Sequence, residues 1–133
     1  MPPRVLFVCV ENSNRSQMAE AFARMAGAEA HSAGSRPSGR VNPTAIEAMR
    51  ELGYDLSAHR SKSIDELPPL AFDAAVTMGC GDACPNLRAA RREDWNIPDP
   101  KQMPREEFRA VRDLIGTKVN QLLDELKGAS HDH

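Results

Sequence analysis

Residues 5–27 read VLFVCVENSNRSQMAEAFARMAG. Arg4 to Val8 opens this stretch as a β-branched and aromatic run, the pattern of a strand covered on both faces, as in a parallel sheet. Ser16 to Ala26 carries Met18, Ala19, Phe22, Ala23 and Met25 at spacings close to three and four, with good helix formers between them and Gly27 as a stop. That spacing predicts a helix with Met18, Phe22 and Met25 in the core. Between strand and helix lie a cysteine, five mostly small or polar residues, and an arginine. If the helix begins near Arg15, the loop from Val10 through Glu11, Asn12 and Ser13 to Asn14 can turn its backbone N–H groups around a tetrahedral anion, with the helix dipole adding positive potential. Arg15 adds a planar two-pronged donor, a geometry lysine lacks. The same field stabilises a thiolate at Cys9, with Ser16 able to donate a hydrogen bond to its sulfur and Asn12 able to hold the loop by its side chain.

An isolated cysteine is more often a buried strand-end thiol than a nucleophile. Here strand, Cys, five residues, Arg-Ser and helix each have a separate task, which favours the anion-binding reading. Glu11 fits only if its carboxylate points out of the loop, because inside it would repel the anion.

Working outward, Glu29 to Ala33 is a short strand candidate, and Gly34 to Gly39 is a turn-rich loop. Asn42-Pro43 opens a second helix with proline at its first position; Ile46, Met49 and Leu52 share a face, and Gly53 closes it. Ser57 to Ser63 reads as loop and Ile64 to Leu67 as a single helical turn. Phe72 to Met78 is another buried strand, followed by Cys80-Gly-Asp-Ala-Cys84-Pro85. Trp95 to Ile97 is the candidate for a last short strand before Pro98 and Pro100. Arg105 to Lys127 is an amphipathic helix with Phe108, Val111, Leu114, Ile115, Val119, Leu122, Leu123 and Leu126 on its apolar face. Residues 127–133 read as a frayed tail.

At 133 residues the chain has room for one core, so residues 1–133 are expected to form a single domain. Strands alternating with helices predict an α/β fold, a parallel sandwich whose ligands sit beyond the carboxyl ends of the strands. Lys+Arg 17 against Asp+Glu 19 leaves a net charge of −2, which argues against a nucleic-acid or membrane partner. The six apolar residues Val5 to Val10 are short for a signal peptide and too short for a membrane span, so a soluble cytoplasmic protein is expected. Three cysteines without secretory context suggest reactive or metal-bound thiols over a static disulfide framework. A zinc site from Cys9, Cys80, Cys84 and His59 is conceivable, but Cys-x3-Cys without a second pair is a weak zinc signal. His59 itself reads as a hydrogen-bonded loop residue. Arg88, Arg91 and Arg92 read as solvated surface.

The loop CVENSNRSQMAEAFAR resembles the Cys-x5-Arg-Ser loop of the low-molecular-weight tyrosine phosphatase superfamily. SAG at 32–34, VNPTAIEAM at 41–49, DLSAHRSKSIDEL at 55–67, the pair Cys80 and Cys84, and WNIPDP at 95–100 resemble the thioredoxin-coupled arsenate reductases built on that fold. The resemblance implies a three-layer sandwich, a four-stranded parallel sheet flanked by helices, with no organic cofactor. It implies arsenate as substrate, phosphate as competitor and thioredoxin as electron donor. Cys9 is the implied nucleophile, Cys80 and Cys84 the thiols that carry the disulfide outward, and Asp99 the acid of the DP loop. Glu20 and Ser32, with Asn12, match positions that help some relatives bind potassium; here the neighbourhood reads Arg60-Ser61-Lys62, so a Lys62 ammonium is expected in place of a metal ion. A monomer is the simplest expected assembly. Two other readings stay open: a protein tyrosine phosphatase, in which Cys80 and Cys84 would be idle, and a thiol sensor for arsenite or zinc. Lys101 stands after Asp99-Pro100 where phosphatases commonly carry an aromatic residue.

The Cys-x3-Cys spacing has a geometric consequence. Helical residues four apart have Cβ atoms about 5–6 Å apart, whereas a disulfide needs roughly 3.5–4.5 Å. Any helix through 80–84 must distort on oxidation, with Gly79 and Gly81 supplying backbone freedom.

Overall fold

A computed structural model describes residues 2–79 and 89–131. Cys80, Cys84 and Arg88 lie outside the described residues. The order of elements is β1 (Arg4–Cys9), α1 (Arg15–Met25), β2 (Glu29–Gly34), α2 (Pro43–Arg50), short 3-10 turns at Leu56–Ala58 and Ile64–Glu66, β3 (Phe72–Met78), β4 (Ala89–Asp94) and α3 (Arg105–His131). The four strands form one parallel sheet in the order β2-β1-β3-β4.

The central strands are the continuous apolar runs, because each has neighbours on both edges and side chains packed on both faces. Val5, Phe7 and Cys9 join one cluster with Met18, Phe22, Phe108, Ile115 and Val119, the layer of α1 and α3. Leu6 and Val8 point the other way, into a smaller cluster with Phe72 and Ala75, covered by Ile64, Leu67 and Leu70. In register, Cys9 at the end of β1 lies beside Gly34 of β2 and Met78 of β3. All parallel strands end on one side, and the loops after β1, β2 and β3 therefore leave from a common rim.

Asn42 caps α2 by accepting from the Thr44 N–H at 2.9 Å, with Pro43 at the first helical position as expected. Other expectations need correction. The last strand is Ala89–Asp94 and not Trp95–Ile97. As a sheet edge it pairs only with β3, and its alternating exposure is carried by charged residues such as Arg91 and Glu93, so it has no apolar run to detect. Trp95 and Ile97 are buried, but in the segment leaving the strand. Arg91 is paired with Glu93 and Glu125 rather than merely solvated. Met25, Leu52 and Leu114 are exposed. Met25 ends α1, Leu52 lies beyond α2, and Leu114 falls off the buried stripe of α3. In α2 the buried residues are Ala45, Ala48 and Met49, with Ile46 half-buried. The helix α3 continues to His131 in place of a tail frayed from residue 127, since no proline follows to stop it and one glycine, Gly128, costs a helix only about 1 kcal/mol. Among the described residues, no helix is long and apolar enough to cross a membrane.

Candidate active site

Beyond Cys9 the chain turns through residues 10–14 and enters α1 at Arg15. Every carbonyl of this turn is held by the surrounding scaffold. The Cys9, Val10 and Glu11 carbonyls accept from the N–H groups of Ser35 (3.2 Å), Arg36 (2.7 Å) and Ser38 (3.1 Å). Glu11 also accepts from Ser61 Oγ at 2.8 Å, Asn12 from Gln17 Nε2 at 3.2 Å and Ser13 from the Asn42 N–H at 3.1 Å. In a trans peptide the N–H points opposite the C=O. Five carbonyls tied outward therefore leave the N–H groups of Val10, Glu11, Asn12, Ser13 and Asn14 turned to the inner side, at the positive end of α1.

Asn12 is the pin of the turn. It is fully buried and has φ of 52°, a left-handed conformation that costs a non-glycine residue energy. Three side-chain bonds offset that cost: Oδ1 accepts from the Lys62 N–H and from Gln17 Nε2, both at 3.0 Å, and Nδ2 donates to Ser16 Oγ at 2.7 Å. Ser16 Oγ lies 2.8 Å from Cys9 Sγ. Ser16 thus links the Asn12 amide to the Cys9 sulfur, and its hydroxyl is placed to donate to that sulfur.

Cys9 is 2 % exposed and Arg15 is buried. Arg15 Nη1 donates to the Ile97 carbonyl at 3.0 Å, and Nη2 lies 4.0 Å from Asp99 Oδ2. Gly79, at φ 81°, runs against this guanidinium so closely that a Cβ would stand 2.6 Å from Nη1. Cys9, Val10, Glu11, Ser13, Asn14, Arg15 and Asp99 line a cleft of about 180 Å³. The Glu11 carboxylate is turned to Lys101, whose Nζ lies 3.0 and 3.1 Å from its two oxygens.

Behind the loop, Glu20 is buried, accepts from Ser32 Oγ and from Arg24 Nε (2.8 Å), and lies 3.9 Å from Lys62 Nζ. Burial pulls the Lys62 ammonium below the ordinary lysine range, opposed by Glu20. His59 is held at both ring nitrogens, by Gln17 Oε1 at 2.9 Å and Tyr54 OH at 2.6 Å. Burial pushes its imidazole below the usual histidine range, with Glu20 opposing. That engagement leaves His59 no free nitrogen for the conceivable zinc site, and among the described residues no group of three His, Cys, Asp or Glu could hold a metal ion.

The structure thus brings together Cys9, the loop 10–14, Arg15, Ser16 and Asp99, and sets Glu20, Ser32 and Lys62 behind them. Sequence reasoning missed Gln17, which is fully buried and joins Asn12, the Arg60 carbonyl and His59. Apolar periodicity treats a glutamine in a first helical turn as solvent-facing, so it carried no signal. Ser61, which braces Glu11 from a loop 50 positions away, was missed because nothing local marks that contact.

The sequence pattern of the family described as low molecular weight phosphotyrosine protein phosphatase matches residues 4–131. The chain belongs to this family. Among similar members of the family, arsenate reductase 2 of Staphylococcus saprophyticus is 42 % identical over 127 residues, covering 90 % of this chain and 95 % of that protein. The glutaredoxin arsenate reductase of Synechocystis is 38 % identical over 125 residues, with the same coverage. A solved arsenate reductase in its phosphate-binding state superposes with a TM-score of 0.83 at 36 % identity, over 95 % of this chain and 99 % of that one. The thioredoxin-dependent arsenate reductase of Corynebacterium glutamicum gives 0.75 at 29 % identity, over 96 % of this chain and 63 % of its own.

Proposed function

We propose that this member of the family reduces arsenate to arsenite through a three-cysteine relay regenerated by thioredoxin. The observation that carries the reading is a buried thiol, Cys9, at the base of an inward-facing N–H loop and beside Met78, two residues before Cys80. The relatives named arsenate reductases support it.

In the proposed cycle the Cys9 thiolate bonds to arsenic, and one arsenate oxygen leaves as water after accepting a proton from Asp99. The loop N–H groups and Arg15 hold the remaining oxygens. Cys80 then attacks the Cys9 sulfur; the sulfur–arsenic bond breaks with its electron pair left on arsenic, so arsenic(V) becomes arsenic(III) and a Cys9–Cys80 disulfide forms. Attack of Cys84 on Cys80 frees Cys9 and moves the disulfide to 80–84, where a dithiol donor reduces it. Two electrons enter from the donor and two leave on arsenite. A phosphatase would use the same loop and acid, but water would complete its cycle and Cys80 and Cys84 would have no task. Lys62, close to the buried Glu20, supplies the positive charge proposed to stand in for an alkali ion.

Thioredoxin with its reductase and NADPH tests the reading. Arsenate is expected to drive NADPH consumption in wild type and not in Cys9→Ser, Cys80→Ser or Cys84→Ser, with equal rates in sodium and potassium salts. Substituting a glutaredoxin system tests the donor. Full aryl phosphatase activity in Cys80→Ser and Cys84→Ser, with no arsenate-dependent NADPH consumption in wild type, would overturn the relay.

A further inference from the structure

Segment 97–101 is tied to both ends of the anion loop. At one end Arg15 donates to the Ile97 carbonyl at 3.0 Å and faces Asp99 Oδ2 at 4.0 Å. At the other, Lys101 Nζ bonds both oxygens of Glu11. Between these ties the Lys101 N–H donates to Asp99 Oδ1 at 3.1 Å, so the position of Lys101 is coupled to that of the Asp99 carboxylate. The segment therefore links Arg15 to Glu11 by way of Asp99, which shares the lining of the cleft with Cys9.

We propose that the Glu11–Lys101 ion pair is a specificity strap at the edge of the cleft, one that an organic substituent on the anion must displace and an unsubstituted oxyanion need not, so that it selects unsubstituted oxyanions over phosphate monoesters while positioning Asp99. The inference rests on the oxyanion-site reading and deepens it. The pair is also partly exposed, Glu11 by 32 % and Lys101 by 53 % of their side chains. Salt therefore screens it and it opens readily, as the mouth of a site must.

Charge and aperture predict different signatures. Glu11→Gln removes a negative charge beside the anion and strengthens inorganic phosphate binding, whereas Lys101→Met leaves Glu11 uncompensated and weakens it. Both substitutions open the strap, so both shift preference toward a substituted anion. The test is calorimetric titration of wild type, Glu11→Gln, Lys101→Met and the double variant with inorganic phosphate and with phenylphosphonate, which has the same head group and is not hydrolysed. The ratio of the two dissociation constants is expected to move toward phenylphosphonate by about two- to fivefold in each single variant, the scale of an exposed ion pair. The double variant should move no further than the larger single shift. High salt should move the wild-type ratio the same way and leave that of the double variant unchanged. An unmoved ratio in the single variants, additive shifts, or a salt response surviving in the double variant would overturn the strap. Wild type binding neither anion would overturn the oxyanion site beneath it; wild type binding both equally would overturn the strap alone.

Discussion

At Gly79 a single hydrogen in place of a side chain lets the end of β3 lie against the Arg15 guanidinium. A methyl group would stand 2.6 Å from Nη1, and the φ of 81° is itself strained for any other residue. Gly79→Ala is therefore expected to displace Arg15 and weaken inorganic phosphate binding at least about tenfold, the scale of one charge-assisted hydrogen bond, read by calorimetry. Asn12 illustrates the opposite device, a side chain that accepts a left-handed backbone because three hydrogen bonds reward it. The clustering of Cys9, Arg15 and Ser16 was legible in the sequence because it is local: strand end, loop and helix start are contiguous. Gln17, Ser61 and the partner of Glu11 were not, because each acts on a residue distant in the chain or hidden from periodicity.

Elements hold the loop as firmly as its own residues do. The end of β2 lies under it at Gly34, where a Cβ would meet the Val10 carbonyl oxygen at 2.6 Å and the Asn12 nitrogen at 3.0 Å. Both are backbone atoms of the loop and cannot swing aside. Gly34→Ala is expected to abolish phosphate binding while far-ultraviolet circular dichroism keeps its native shape, since the sheet pairs through β1 and β3 independently of this contact. At the other edge of the sheet, β4 escaped prediction because a charged edge strand offers neither an apolar run nor apolar alternation. Long, periodic elements such as α1 and α3 were readable to within a few residues at their N-terminal ends, where the loop chemistry begins.

Across the molecule, several groups make stability depend on acid, Glu51 and His59 among them. Glu51 joins α2 to α3 by accepting from Arg109 and Arg112, and these partners hold its carboxyl at about 2, against an ordinary 4.5. Its contribution is complete above pH 4.5 and is lost as pH falls toward 2. His59 acts higher in the scale. Burial keeps the folded imidazole below its ordinary 6.5, so below that pH the unfolded chain takes the proton first and stability falls. Urea midpoints measured from pH 7.5 downward should therefore begin to drop near 6.5 in wild type. His59→Gln should flatten the first part of that decline, and Glu51→Gln the part below 4.5.

The local order of strand, cysteine, loop and helix, and with it the parallel α/β fold and a thiol at the foot of the loop, followed from residues adjacent in the chain, whose period and side-chain chemistry are written in order. Tertiary packing alone decided that Gly34 presses on the loop and Gly79 on Arg15, that His59 and the Arg60 carbonyl hold Gln17 against Asn12, and that Lys101 reaches Glu11 across 90 positions. Those contacts join segments whose proximity is set by how the sheet assembles, and no local pattern encodes that distance.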